Sequence, residues 1–92
     1  GLVSHGLSEQ AAAVLAAMSA EAPATFAATI AALTGITAAH ERGAVPAGAS
    51  PIDQWGDVYD LDVPGHPVLV EWFAGDVETV TSTRLTWLEA GP

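Results

Sequence analysis

The chain has 92 residues, enough for one domain with a modest core, and no Cys, which excludes a disulfide framework and a thiolate metal site. Two cations, Arg42 and Arg84, stand against eleven carboxylates for a net charge of −9; nothing here can neutralise a row of phosphates, so direct nucleic-acid binding is not expected. No apolar run approaches the ~20 residues of a membrane span and no basic-then-apolar opening reads as a secretory signal, so the expectation is a soluble, cytoplasmic protein with no membrane partner, its alanine-rich, lysine-free makeup pointing to a bacterial source.

Residues 2–7, LVSHGL, suit a short edge strand. Ser8 is placed to cap a helix, with Glu9 in its first turn, where a carboxylate complements the dipole. Ala11, Val14, Leu15 and Met18 then recur at helical spacing. Ser19 is read as the cap of a second helix, with Pro23 at or near its start, a stripe of Phe26, Ile30 and Leu33, and Gly35 as its stop. Residues 8–34 thus form a helical hairpin. Residues 35–54 lose periodicity and read as a long surface loop with one helical turn around 37–42.

Order resumes at 55–63, where Tyr59, Leu61 and Val63 alternate with Val58, Asp60 and Asp62. Pro64-Gly65-His66-Pro67 is a turn, PVLVEWF is a central strand, Ala74-Gly75-Asp76 is a second turn, and the β-branched run 77–88 is a third strand. Consecutive strands with short turns pair as a meander. The predicted fold is a single α+β domain over 1–92. It has two layers, a helical hairpin packed on an antiparallel β-meander, in the order β-α-α-β-β-β.

That order, with the Ser-capped helical hairpin in LVSHGLSEQAAAVLAAMSAEAPATFAATIAAL and the meander in WGDVYDLDVPGHPVLVEWFAGDVETVTSTRLTWL, resembles the RelE/ParE superfamily of bacterial toxin–antitoxin toxins. The resemblance spans residues 2–88 and is one of pattern. It implies a sheet face that works on RNA in some members and on gyrase, through protein contacts, in others. Cleavage by attack of a ribose 2′-OH needs a base, and cations to stabilise the growing charge. Where the family often carries Arg after an aromatic, this chain has Val68, and near the end of the last strand it has Thr86 or Trp87 in place of a basic residue. Tyr59 stands beside Asp57, Asp60 and Asp62, and Arg84 is the sheet's one cation. The catalytic set of the ribonucleases therefore does not transfer.

Three histidines, His5, His40 and His66, lie far apart, so local hydrogen bonding is expected of each and no metal site is assigned; His66, in a Pro-rich turn, is expected to be the most exposed. Asp60 and Asp62 share a strand face, Glu71 joins them from the next strand, and Arg84 can pair with one of them across the sheet. Trp55, Trp72 and Trp87 all fall in the sheet half, more aromatic surface than so small a chain readily buries. The partner-binding candidates are Trp55, Tyr59, Asp60, Asp62, Glu71, Trp72, Arg84 and Trp87. No phosphate-binding, zinc-protease or nucleophile-elbow motif occurs, and no cofactor is implied.

Three functions compete at this level. One is a RelE/ParE-like domain without ribonuclease activity that binds a protein, either an antitoxin-like partner or a second copy of itself. Another is an active mRNA interferase or gyrase-directed toxin with an atypical site. The last is an enzyme or small-molecule binder using an acidic pocket between sheet and loop.

Overall fold

The structure, a computed structural model, describes residues 2–88. Strand β1 (Ser4–Leu7) leads into helix α1 (Glu9–Glu21) through Ser8, whose side chain accepts from the Ala11 N–H at 3.1 Å while its hydroxyl donates to the Thr83 carbonyl. One serine thus caps the helix and ties its start to the last strand. Helix α2 (Pro23–Glu41) follows after Ala22 alone. Ser19 does not cap it, because α1 runs on to Glu21; Pro23, which lacks an N–H and so suits a first helical turn, begins α2.

Gly35 does not end α2. Beyond it, Ile36 and Ala39 are buried against the sheet, and their packing outweighs the cost of one helical glycine, about 1 kcal/mol. The stop comes at Gly43 instead. Its N–H donates to the His40 carbonyl and the Ala44 N–H to the Ala39 carbonyl, with Gly43 itself at φ +68°, the left-handed conformation that favours glycine. The predicted loop over 35–54 is therefore shortened from its start, and it also contains a two-residue strand, β2 (Ser50–Pro51). The helical stripe differs from expectation too: Thr29, Leu33, Ile36 and Ala39 are its buried members, while Ile30 is 38 % exposed.

The meander is present as β3 (Val58–Asp62), β4 (Val68–Phe73) and β5 (Thr79–Trp87), antiparallel at both pairings. Val63 to His66 forms a turn closed by the His66 N–H on the Val63 carbonyl, with Pro64 at its second position and Gly65 at φ +78° at its third, the requirement of a type II turn. The sheet is mixed and not wholly antiparallel. β1 lies parallel to β5 and the order is β1-β5-β4-β3-β2. The α+β class holds, with two helices and five strands among the described residues.

Both helices pack on one face. Ala11, Leu15 and Met18 of α1, with Leu33 and Ile36 of α2, meet Val68, Val70 and Trp72 of β4 and Val80 and Leu85 of β5 in a single core that Val63 extends. A bulge between Glu71 and Trp72 sets Glu71 opposite Arg84 and Trp72 opposite Ser82, so Thr83 is the extra residue of β5. Among the described residues, no helix is long and apolar enough to cross a membrane.

Candidate functional site

The pleat divides seven of the eight sequence candidates between two faces, and the eighth, Trp55, lies outside the strands. Tyr59, Trp72 and Trp87 point toward the helices. Trp72 is 2 % exposed and lies against Tyr59, its cross-strand neighbour, with ring centroids 5.7 Å apart; Trp87 packs at the margin of the core. These three are structural or line a cavity, and they do not stand on the same surface as the carboxylates. Trp55 lies in the loop before β3 and is the exposed tryptophan, at 74 %.

Asp60, Asp62, Glu71 and Arg84 occupy the opposite, helix-free face. The strand register aligns Ser50, Asp60, Glu71 and Arg84 in one row across four strands. A second row runs Asp62, Leu69, Thr86, and a third runs Val58, Phe73, Thr81. Phe73 folds over the turn that follows it, where Gly75 provides room its ring would deny to a larger residue. The open face is thus a carboxylate row with one cation at its end, flanked by Val58 and Phe73 on one side and by Leu69 on the other.

On the covered side, a cavity of about 250 Å³ opens between the end of α2, the 43–46 loop and the sheet. Tyr59 and Trp72 form part of its floor, and Ile36, His40, Val45 and Val77 are among its walls. No carboxylate lines it, and it is mainly apolar. Its ring nitrogen His40 Nε2 is engaged by the Asp76 carbonyl at 2.6 Å.

The other histidines are also held locally. His66 Nδ1 meets Thr25 Oγ1 at 3.0 Å, and the residue is half-buried, like the other two. His5 lies between Thr37 Oγ1 (2.7 Å) and the fully buried Ser82 Oγ (2.6 Å). Because Thr37 donates its hydroxyl to the Leu33 carbonyl, it accepts from His5 Nδ1–H, which leaves Nε2 to accept from Ser82. Burial pushes the His5 pKa below its ordinary 6.5, with a backbone hydrogen bond at Leu33 opposing in part. Among the described residues no group of three His, Asp or Glu is placed to hold a metal.

Sequence reasoning missed this Ser82–His5–Thr37 chain, since its members are separated by up to 77 positions and only the parallel β1–β5 pairing joins them. It also missed Gln10, whose amide donates to the Leu85 carbonyl and accepts from the Leu85 N–H, continuing the edge of β5 where β1 ends. No protein-family model, curated protein or solved structure significantly matches this chain.

Proposed function

We propose that this chain is a RelE/ParE-like domain of the toxin–antitoxin type that works by holding a protein partner and not by cutting RNA. The observation that carries this reading is the composition of the open sheet face: Asp60 and Glu71 in one row, Asp62 beside them, and a single cation, Arg84, opposite Glu71. Phosphate chemistry needs cations where charge develops, and here the phosphates would meet carboxylates. Val68 adds support. It stands where Arg is frequent in the family, and it is 2 % exposed, so the position serves the core. A row of carboxylates with Val58 and Phe73 on one side and Leu69 on the other suits a basic, antitoxin-like segment with apolar anchors.

The test is a translating mixture of ribosomes and a defined mRNA, with and without the purified chain. Transcripts are expected to stay intact at any protein concentration. Ribosome-dependent cleavage, or growth arrest on expression that an Arg84→Ala substitution relieves, would restore the active-toxin alternative.

The cavity between α2 and the sheet favours a second reading, a binder of small, mainly apolar molecules. Its expected sign is a rise in Tm with neutral aromatic compounds that Tyr59→Ala abolishes, and no rise with divalent metals.

A further inference from the structure

The two edges of the sheet are treated differently. At one edge, β2 is two residues long and contains Pro51, both devices that blunt an edge against further pairing. At the other edge, β1 has neither. Its Ser4 N–H donates to the Glu78 carbonyl and the Ser8 N–H to the Ser82 carbonyl, so the even-numbered residues face β5. In a parallel ladder the alternate residues then point their N–H and C=O away from the sheet. Val3 follows this rule, its outward N–H capped by the Glu41 carboxylate at 3.3 Å. His5 and Leu7 follow it as well, and among the described residues β1 is the last strand of the sheet on that side.

We infer that β1 is a self-association edge, where two copies of this chain pair antiparallel about a two-fold axis through Gly6. The outward groups are symmetric about that residue. With Gly6 facing its own counterpart, His5 of one copy meets Leu7 of the other in both directions, and each pairing exchanges two N–H···O=C bonds. Gly6 sits at the non-hydrogen-bonded position, where the backbones approach to about 4.5 Å. A Cβ there would touch only Thr81 Oγ1 within its own chain, at 3.8 Å, so internal packing does not demand the glycine.

Charge selects the occupant. A chain of net charge −9 repels its own copies over most of its surface. Ser4–Leu7 carries no charge, and neither does the apolar groove beside it, lined by His5, Leu7, Leu15, Ile30, Leu33 and Thr34 among others. Leu7 and Ile30 are large apolar residues left 43 % and 38 % exposed there. Pairing through this edge would extend the sheet across both copies and bring these side chains together. The inference does not depend on what the open sheet face binds.

Sedimentation equilibrium of the full chain from about 5 µM to about 500 µM tests it. The mass is expected to rise from one chain of 9.3 kDa toward two, and Leu7→Lys, which sets a charge on the edge, is expected to hold the chain monomeric with its circular dichroism unchanged. Ile30→Lys is expected to weaken association at least about tenfold, and covers the case in which Leu7→Lys does not fold. Amide exchange supplies a second reading: the His5 and Leu7 amides become protected only at high concentration, those of Ser4 and Gly6 at every concentration. A monomer throughout the range overturns the inference, as does a dimer that leaves the His5 and Leu7 amides exchanging freely.

Discussion

Trp72 and Phe73 are neighbours on β4, yet they belong to different environments. Trp72 faces the helices and is 2 % exposed; Phe73 faces the open side and is 39 % exposed. The same division holds along the whole sheet. The covered face is aliphatic and aromatic, with its few buried polar groups hydrogen-bonded, while the open face carries Asp60, Asp62, Glu71, Arg84 and threonines. One face carries the core, and the other is turned to water.

The largest expected effect tests that division directly. Trp72→Ala removes a side chain from the centre of the core and its stacking partner from Tyr59; a loss of about 3–5 kcal/mol is expected, enough to unfold a domain of this size at moderate temperature. Phe73→Ala, one residue along, is expected to cost under about 1 kcal/mol. Paired urea titrations measure both. Similar losses for the two would show that the open face is part of the core, and would remove the distinction on which the functional reading depends.

The sequence made much of this division legible, and its failures have physical causes. The strand period placed Asp60 and Asp62 on one face, and the register sets Glu71 directly opposite Asp60, so the carboxylate patch was readable from spacing. Ser8 and Pro23 acted as the local helix signals they are. Gly35 misled because local propensity there is overridden by the burial of Ile36 and Ala39, while the true stop, Gly43, works through the carbonyls of His40 and Ala39 in the last helical turn. The tryptophans misled for another reason. Composition says that three are present, but only the pleat turns Trp72 and Trp87 inward, and only a place in the loop before β3 leaves Trp55 exposed. Contacts such as His5 with Ser82 depend on a parallel pairing between the first and last strands, which no local pattern announces.

That histidine gives the next effect, which belongs to the covered face alone. Its pKa is lowered by burial, so the unfolded chain binds the proton more tightly than the folded one. The contribution of neutral His5 is therefore complete above pH 6.5 and is lost as the pH falls through 6.5 toward the lowered folded value. Protonation also takes from Ser82 the acceptor its buried hydroxyl uses. The melting temperature of the wild type is expected to fall on going from about pH 7.5 to about pH 5.5, relative to His5→Asn, which has no such proton to bind. Parallel curves for the two proteins would show that His5 titrates as if in water.

The smallest effect lies on the open face and differs in kind. Glu71 stands between Asp60 and Arg84 in one row, repelled by one neighbour and attracted by the other. Glu71→Gln removes both interactions at once and is expected to be close to neutral, within about 0.5 kcal/mol. Arg84→Glu is not balanced in this way. It lines up three carboxylates with no cation, for an expected loss of about 0.5–1 kcal/mol at low salt. Because the row is in contact with water, ~1 M salt should erase most of that loss, whereas the loss from Trp72→Ala should persist. Stability measured at low and high salt for both variants separates the faces by mechanism as well as by magnitude. A salt-independent loss at Arg84 would mean that its side chain packs as part of the core and is not held in water by charge alone.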